Sequence, residues 1–284
     1  MVVTPSVGEL IRNWRMRRRF TQTDLADTAG IPVKVLGQIE TGRAGASRDL
    51  LLRLAEHLDI PLRERNPLLT AAGYAPSYPD RSLEHPALDA AREGLHALLA
   101  AQAPCPAVAM DRGWTLVAAN QAFHRLVAGA DPLLLRSPVN VLRLWLHPAG
   151  LAPRIANLRE WRELMVRRLR RAVVEADDSR VSDLLEEVQD YPLPRGATLL
   201  GPGKGFDLPV QPLRLVTIEG TLTLASVVSR FETATDITLA ELTIETFLPM
   251  DQETTTILRQ MTDPTAAEGT LRPFRLPTHR AVAG

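Results

Sequence analysis

The sequence has very little cysteine, no excess charge of either sign and no long apolar run. Cys105 is the single cysteine among 284 residues, which excludes an intrachain disulfide and is typical of a reducing compartment. No apolar run approaches the roughly 20 residues that a membrane span needs. The first residues reach an arginine cluster without a signal-like apolar core, so we expect a cytoplasmic protein without a membrane partner.

Motifs of metal-dependent and nucleophilic catalysis are missing as well. The six histidines are scattered without HExxH spacing, and one cysteine cannot form a metal-binding cluster. No GxSxG is present. The GPGKG stretch at 201–205 lacks both the spacing of a phosphate loop and a clear preceding strand. We therefore predict a protein that is not an enzyme and that has no metal and no resident cofactor.

Charge is unevenly distributed, although 33 basic residues balance 33 acidic ones. Residues 1–19 contain five arginines and one glutamate, a local net charge of +4. Residues 154–171 contain seven arginines and two glutamates, a local net charge of +5. Residues 232–253 contain six acids and no base. Such asymmetry is more informative about binding faces than the zero total.

A length of 284 residues fits about two domains, and the first 75 residues carry a helical pattern. Apolar residues recur at helical spacing along 7–14. Thr21, followed three residues later by Asp24, predicts the capped start of a second helix. Gly30 supplies the left-handed turn that leads into a third helix at 32–40.

Two more helices are predicted, at about 48–58 and from about 61 to 72. Five short helices, with a glycine turn between the second and third, predict a helix-turn-helix domain; a generic helical bundle is the alternative. The segment 7–43 and the stretch RERNPLLTAAGYAP at 63–76 resemble the XRE (Cro/repressor-like) helix-turn-helix family. The resemblance implies that residues 1–75 bind double-stranded DNA, as a symmetric homodimer.

The resemblance also assigns DNA contacts to individual positions. Gln22, at the start of the second helix, stands where the family contacts a phosphate. Gln38 can offer a donor and an acceptor to adenine, and Lys34 can donate to guanine or phosphate. The groove-facing set of the third helix is Val33, Lys34, Gly37 and Gln38. The arginines that we expect to contact phosphates are Arg15, Arg18, Arg19, Arg43 and Arg48.

Two residues of the third helix depart from the family pattern. Pro32 replaces a serine or threonine that would cap the helix. Gly37 replaces a side chain that would often read a base edge, and it costs the helix about 1 kcal/mol relative to alanine. We therefore expect a recognition helix that discriminates modestly between sequences and depends on phosphate contacts and dimer spacing.

The remaining chain predicts a connector, a second domain and a tail, at 76–86, 87–262 and 263–284. The second domain reads as a helix, two strands joined by a tight turn at 111–113, several helices as far as Tyr191, and a loop at 191–208. Three strand-like runs follow at 211–219, 221–232 and 239–249, and then a short helix at 251–261. Five antiparallel strands with helices inserted after the second predict a PAS-like domain whose helices cover the sheet. The fold class is thus α+β in two domains.

Alternation in the last strand-like run predicts which side chains face inward. We expect Leu242, Ile244 and Thr246 on the inner face. Glu241, Thr243 and Glu245 then point to solvent, and outward acids of this kind explain most of the acidic block.

Three segments of the second domain resemble the ligand-binding domain of MmyB-like transcription regulators. They are AVAMDRGWTLVAANQAF at 107–123, VNVLRLWLHPAGLAPRIANLREW at 139–161 and FETATDITLAELTIETFLPMDQET at 231–254. Together with the helix-turn-helix match, the resemblance covers nearly the whole chain. It implies a small apolar ligand, a fatty acid or similar amphipathic molecule, between the sheet and its helices.

Candidate ligand-binding residues fall into an apolar and a polar set. The apolar set is Trp114, Phe123, Leu142, Leu146, Trp161, Met165, Leu215, Leu224, Val228 and Ile244. These are also ordinary core positions, and periodicity cannot separate the two interpretations. The polar candidates for a head group are Asn120, Arg143, His147, Arg154 and Asn157. The alternative is that the arginines pair with surface acids and that the asparagines cap helices.

Two further alternatives stay open at this point. The arginine-rich helix at 159–171 either is solvated or adds contacts to DNA phosphates or to a second subunit. The chain as a whole reads as a DNA-binding transcriptional regulator modulated by a small apolar ligand. The alternative is a DNA-binding regulator that a protein partner controls, with no small-molecule ligand.

Overall fold

A computed structural model describes residues 5–176, 178–192 and 210–262, and the chain divides into two compact units. The first unit comprises Met1–Leu83 and Phe231–Ala240; the second comprises Glu84–Arg230 and Glu241–Gly284. The tail predicted at 263–284 and most of the loop predicted at 191–208 lie outside the described residues. That residues 231–240 belong with the first unit could not be read from the sequence pattern.

The first unit is helical within the described residues, as its pattern predicts. Its helices are α1 (Val7–Arg17), α2 (Gln22–Ala29), α3 (Val33–Glu40), α4 (Arg48–His57) and α5 (Leu62–Ala71). Capping boxes begin the first two helices, Ser6 with Glu9 and Thr21 with Asp24. Gly30 ends α2 at φ 66° in the left-handed region. The predicted cap and turn of the helix-turn-helix are therefore confirmed.

Close approach of α1 to α3 is a feature that the sequence pattern did not show. A Cβ added at Gly8 would lie 2.3 Å from the carbonyl oxygen of Ile39 and 2.8 Å from that of Glu40. Only glycine lets the start of α1 pack this closely on the end of α3. The position of α3 in the first unit is set in part by this contact.

Residues that join the two predicted domains pack within the first unit. The side-chain oxygen of Asn66 accepts from the backbone N–H groups of Ser77 and Tyr78, at 3.0 and 3.1 Å. Asp236, in the segment 231–240, pairs with Arg81 at 3.2 Å. In the same segment, the backbone N–H of Ile237 donates to the carbonyl of Pro79 at 2.9 Å. The connector is thus held against α5, and the segment 231–240 is held against the connector.

The second unit combines helices with one antiparallel sheet. Its described helices are α6 (Asp89–Ala101), α7 (Gln121–Val127), α8 (Val141–Leu146), α9 (Leu158–Ala176), α10 (Ser179–Asp190) and α12 (Gln252–Thr262), with short 3₁₀ turns at Pro86–Leu88 and Ala152–Arg154. Helix α11 (Ile237–Glu241) ends the segment 231–240. The strands are β1 (Ala107–Met110), β2 (Leu116–Ala119), β3 (Leu213–Val216), β4 (Thr221–Arg230) and β5 (Thr243–Pro249).

The strand order β2-β1-β5-β4-β3, with α7 to α10 inserted between β2 and β3, confirms the predicted PAS-like fold within the described residues. One sheet face carries Val108, Leu224 and Phe247 into the main core. Helices α7 to α10 supply many of the other residues of that core, including Trp145 and Trp161. We call this the helix-covered face.

The number of strands is predicted correctly, but the bounds of several strands differ from the prediction. Residues 239–241 complete α11, so β5 begins only at Thr243. Trp114 adopts φ 59° in the turn, and β2 therefore begins at Leu116. The run at 211–219 is shortened to Leu213–Val216.

The inward phase predicted for β5 is wrong. Glu245 and Phe247 lie on the helix-covered face, so Ile244 and Thr246 lie on the opposite face. All four residues are buried, with exposed fractions of 8% or less. A strand buried on both faces has no clear alternation between apolar and polar residues. The prediction that Glu245 points to solvent is therefore wrong as well.

No described helix combines the length and the apolar character that crossing a bilayer requires. The described residues also contain no group of three or more histidine, cysteine, aspartate or glutamate side chains arranged to hold a metal ion.

We predict that Gly8→Ala destabilises the first unit by about 3 kcal/mol, because the added Cβ meets two backbone carbonyls of α3. Denaturant unfolding followed by circular dichroism measures this loss. The control is Gly94→Ala in the exposed part of α6, where an added Cβ has no described neighbour within 4 Å. That control is expected to be neutral or to stabilise by up to about 1 kcal/mol. A Gly8→Ala protein as stable as the wild type contradicts the close approach.

Candidate nucleic-acid interface and ligand site

Helix α3 has one buried face and one accessible face. Leu36 and Ile39 are fully buried. The four residues predicted to face the groove follow the i, i+1, i+4, i+5 spacing, which places them together on the other side. They are exposed or half-buried: Val33, Lys34, Gly37 and Gln38. The structure thus brings together the predicted groove-facing set.

Basic side chains extend this accessible face after α3. Lys34 and Arg43 are exposed, and neither makes an ion pair with any described residue. Arg48 is exposed too, and one of its guanidinium nitrogens donates to the hydroxyl of Ser77 at 2.7 Å. These cations carry the charge that a phosphate backbone attracts.

A buried glutamate fixes the inner side of α3. The carboxylate of Glu40, only 2% exposed, lies 2.6 Å from Arg15 Nε. A second guanidinium nitrogen of Arg15 donates to its other oxygen at 2.9 Å. Gln22 Nε2 donates to that same oxygen at 2.7 Å. Arg15 lies on α1 and Gln22 on α2, so one carboxylate holds three helices in register.

These hydrogen bonds shift the pKa values of Glu40 and Arg15. Burial alone raises the pKa of Glu40, but the hydrogen bonds from Arg15 and Gln22 outweigh it and leave that pKa below its ordinary value. The hydrogen bond to Glu40 correspondingly raises the pKa of Arg15. Both groups are therefore charged at neutral pH.

Two residues with predicted phosphate contacts, Gln22 and Arg18, also make hydrogen bonds within the first unit. Gln22 uses one amide N–H for Glu40 and retains a second for DNA, so its phosphate contact stays a prediction. Arg18 instead donates to the carbonyls of Leu58 and Asp59 at 3.0 and 2.8 Å. These carbonyls end α4, where cations are favoured. The structure gives Arg18 a role within the fold, and its contact with a DNA phosphate stays a prediction.

In the second unit, most of the predicted apolar set is buried in the main core. Its members there are Trp114, Phe123, Leu142, Leu146, Trp161, Met165, Leu215 and Leu224. Trp145, which the sequence did not single out, lies at the centre. Its ring centroid is 6.2 Å from that of Phe123, 6.3 Å from that of Trp161 and 5.1 Å from that of Phe247. We call these four rings the aromatic cluster.

Two members of the predicted apolar set do not line this core. Ile244 is buried on the opposite face of the sheet. Val228 is 42% exposed, because the last residues of β4 extend beyond the covering helices. The ligand contacts of Ile244 and Val228 stay predictions, since alternation alone does not show where a strand leaves the core.

The predicted head-group residues are engaged elsewhere. Asn120 caps α7, accepting from the backbone N–H groups of Phe123 and Ala107 at 3.0 Å each, and its amide donates to two carbonyls. Arg143 pairs with the partly exposed Glu187 at 2.6 Å. His147 accepts from the backbone N–H of Ala149 at 3.0 Å. The structure therefore favours the capping alternative for Asn120 and the surface-pairing alternative for Arg143.

Arg154 and Asn157 are also committed to the backbone. The Nε of Arg154 donates to the carbonyl of Val216 at 3.1 Å. The amide of Asn157 donates to the carbonyl of Pro212 at 2.8 Å, and its oxygen accepts from the backbone N–H of Arg214 at 2.9 Å. Both residues tie the helical region to β3.

An ion pair that the sequence pattern did not predict lies at the edge of the main core. Arg168 Nη1 lies 2.6 Å from Glu245 Oε1, and the carboxylate side chain is only 3% exposed. The hydroxyl of Ser226 donates to the same oxygen. Of the arginines in the arginine-rich helix, Arg168 is therefore paired within the fold and is not part of a solvated face. A charged residue on the apolar side of α9 was the available signal, since Arg168 follows Trp161 by seven residues.

A second ion cluster joins three elements of the same unit. Arg112, in the β1–β2 turn, lies 2.8 Å from Asp178 and 3.4 Å from Glu241. Asp178 caps α10, and its carboxylate accepts hydrogen bonds from Arg180. The hydrogen bond from the Arg180 side chain is the largest cause of the lowered pKa of Asp178, about 2. This cluster fixes the turn against the start of α10 and against Glu241.

Two surface clefts lie outside the aromatic cluster. One, of about 450 Å³, is lined by residues of α6 and α7 that include His96, Leu99 and Asn120. The other, of about 490 Å³, runs along α9 and is lined by Arg159, Arg162, Arg167 and Arg170. The aromatic cluster itself is closely packed, so a ligand that enters it must displace side chains.

An α3 helix with an accessible polar face, together with a PAS-like domain, defines a DNA-binding transcriptional regulator with a ligand-binding domain. The profile of a helix-turn-helix domain matches residues 6–68. The profile of the MmyB-like transcription regulator ligand binding domain matches residues 91–261. Because this second match covers more than half of the chain, the chain belongs to the MmyB-like transcription regulator family.

One curated relative is a protein of Methanoculleus marisnigri whose name assigns it to the HTH-type transcriptional regulators. It is 30% identical over 128 residues, which are 44% of this chain and 41% of that protein. The match thus spans less than half the length of the relative.

Two solved structures show partial similarity. The restriction-modification controller protein C.AhdI from Aeromonas hydrophila is 32% identical and covers 21% of this chain and 89% of its own, with a TM-score of 0.20. An RNA-binding Light-Oxygen-Voltage receptor is 16% identical and covers 90% of this chain and 61% of its own, with a TM-score of 0.27. Scores this low do not establish a shared fold, so the fold assignment rests on the strand order and the family profiles.

We predict that Glu40→Gln costs about 3 kcal/mol of the unfolding free energy near pH 7, because it removes the counter-charge of the nearly buried Arg15. This loss shrinks in acid. A lowered pKa means that the stabilisation by Glu40 is complete above the ordinary value of 4.5 and is lost as the pH falls through the lower folded-state pKa. Urea unfolding between about pH 7 and pH 3 measures both effects.

The matched control is Asp80→Asn, which removes an ion pair with Arg63 whose side chains are 46% and 33% exposed. It is expected to cost no more than about 1 kcal/mol. Equal losses from the two substitutions would contradict the clamping role of Glu40.

Proposed function

We propose that this protein binds an operator in double-stranded DNA as a homodimer, and that a small apolar ligand in the second unit modulates its affinity. A fatty acid or a similar amphipathic molecule is the proposed ligand. The division of α3 into a clamped inner face and an accessible outer face carries the DNA-binding part of this proposal.

Chemistry of the outer face supports base reading. Gln38 and Lys34 offer hydrogen-bonding groups that match base edges, and the methyl groups of Val33 suit a thymine methyl. An added Cβ at Gly37 would meet only Gln22 Oε1, at 3.8 Å, among the described atoms. The fold therefore does not require glycine at this position. Glycine there instead permits close approach of the helix backbone to DNA.

A homodimer follows from how such helices read DNA. Symmetric dimers place two recognition helices about 34 Å apart, in successive major grooves. With few base-reading side chains on each α3, the spacing of two half-sites supplies much of the specificity.

We predict that Lys34→Ala combined with Gln38→Ala abolishes most of the preference for the operator over random DNA, since each lost base contact costs about 1–3 kcal/mol. Arg43→Ala is expected to weaken binding to all sequences alike and to reduce the salt dependence by about one counterion. Fluorescence anisotropy with an operator selected from random duplexes measures both. Arg53→Ala, an exposed arginine on α4, is the charge-matched control. Full sequence preference in the double variant would rule out α3 as the reading helix.

Unsatisfied polar atoms support a ligand in the second unit. The indole nitrogens of Trp145 and Trp161 are buried and have no hydrogen-bond partner among the described residues. A buried donor without an acceptor costs about 1–3 kcal/mol. A ligand that carries an oxygen could satisfy such donors, and its chain would gain about 0.8 kcal/mol for each buried CH₂.

A covalent route supports coupling between ligand and DNA. The segment 231–240 connects β4 to β5 of the sheet, yet its hydrogen bonds and its ion pair lie within the first unit. Any ligand that shifts β4 against β5 must also move this segment. Such a shift can change DNA affinity only if the ligand binds the two arrangements differently.

We predict that gently purified full-length protein carries one amphipathic molecule per chain. Denaturation followed by mass spectrometry of the released small molecules measures it. The control is an unrelated protein expressed and purified identically. A chain without any such molecule would favour regulation by a protein partner.

Control by a protein partner is the second candidate function. Residues 225–230 of β4 pair with β5, and β3 covers only residues 221–224 on the other side. Within the described residues this leaves an open strand edge, and Val227 and Val228 on it are more than 40% exposed. Open edges of this kind accept an added strand from another chain. A protein that co-purifies in stoichiometric amount would favour this candidate.

A further inference from the structure

Each unit contains one glutamate buried against an arginine, and the two pairs differ in how completely they are satisfied. In the first unit, both oxygens of Glu40 accept hydrogen bonds, and Arg15 contributes Nε and Nη2 to them. The third donor group of Arg15, Nη1, donates to the carbonyl of Phe20 at 2.9 Å. Each guanidinium nitrogen of Arg15 and each carboxylate oxygen of Glu40 thus has a partner.

The pair in the second unit, Arg168 with Glu245, has fewer hydrogen bonds, and we call it the open pair. Arg168 bonds to Glu245 through Nη1 alone, and that nitrogen also lies 3.8 Å from the sulfur of Met165. The Nε and Nη2 groups of Arg168 make no hydrogen bond with any described residue. Both recorded hydrogen bonds to the carboxylate reach Oε1, from Arg168 and from Ser226. One edge of the guanidinium, Nε and Nη2, therefore has no partner among the described residues.

This open pair lies at the margin of the aromatic cluster. Arg168 follows Trp161 by two helical turns on the inward side of α9. Glu245 precedes Phe247 by two residues on the helix-covered face of β5. The Arg168 side chain is 24% exposed, although Glu245 is only 3% exposed. Val228, directly opposite Glu245 in the sheet register, is 42% exposed. The helix-covered face is thus accessible at this point.

We propose that Arg168 binds the carboxylate of an amphipathic ligand whose apolar chain lies against Val228, Met165 and the aromatic cluster. The Nε and Nη2 groups, which have no partner among the residues that the structure describes, form a planar pair of donors that suits the two oxygens of a carboxylate. Glu245 and Ser226 hold the guanidinium in place through Nη1. This inference rests on the proposed ligand binding and replaces Arg143 and His147 as the head-group site.

Two carboxylates near one guanidinium repel each other, which gives the proposal a distinctive consequence. Glu245→Gln keeps an acceptor for Arg168 Nη1 but removes the negative charge. It is therefore expected to strengthen binding of a carboxylate ligand and to leave binding of a neutral ligand of equal chain length unchanged. A merely structural role for the pair predicts the same change for both ligands.

The test is isothermal titration calorimetry of delipidated full-length protein with dodecanoate and with dodecanol. We expect the wild type to bind dodecanoate at least about tenfold more tightly than dodecanol. Arg168→Gln with Glu245→Gln removes both charges of the pair together, which avoids leaving a buried unpaired acid. This double variant is expected to bind the two ligands equally, whereas Glu245→Gln alone widens the preference for dodecanoate. Arg143→Gln, which removes the surface pair with Glu187, is the control and leaves the preference unchanged.

The outcomes separate this inference from the proposed function. If the double variant retains the preference for dodecanoate, or if Arg143→Gln abolishes it, Arg168 is not the head-group site and ligand binding itself stands. If the wild type binds neither ligand, the proposed ligand class fails and the inference fails with it.

Discussion

The carboxylate of Glu40 is the constraint on which the DNA-binding unit depends. A buried acid is costly unless it is paired and hydrogen-bonded, and Glu40 obtains its partners from two other helices, through Arg15 and Gln22. Helices α1, α2 and α3 must therefore be in place together. Gly8 allows this by bringing α1 within contact of the end of α3. With the inner face of α3 fixed, its outer side chains are free to meet DNA.

The second unit uses the same type of ion pair for a different purpose. Arg168 and Glu245 close one end of a core whose centre is the aromatic cluster. That pair leaves guanidinium donors unused, and two buried indole N–H groups also lack acceptors among the described residues. In the Arg15–Glu40 pair every guanidinium nitrogen and carboxylate oxygen has a partner, and the pair rigidifies the DNA-binding unit. The Arg168–Glu245 pair has guanidinium nitrogens without a described partner beside an apolar core, which suits a ligand sensor. The segment 231–240 links the two units covalently. It connects β4 to β5 along the chain, but its contacts place it in the first unit.

Sequence patterns predicted those elements whose residues differ between two faces. The helices of the first unit have apolar stripes, and capping residues such as Thr21 mark where they begin. Trp145 could not be singled out, because five of the six residues of α8 are buried and no stripe distinguishes a ligand site from a core. The phase of β5 failed for the same reason, since Ile244 and Glu245 are both buried. Arg168 was hidden among neighbouring arginines, and only the fold shows which one meets Glu245.

The most direct test of the account is the DNA affinity of the full-length protein with and without its ligand. Protein that has been delipidated is titrated with a selected operator, first alone and then at saturating dodecanoate, in the same salt. Coupling free energies between sites are typically 1–3 kcal/mol, so we predict that the dissociation constant changes by at least about fivefold. An operator affinity that is the same in both conditions, with ligand binding verified in the same sample, would contradict the claim that the second unit controls the first.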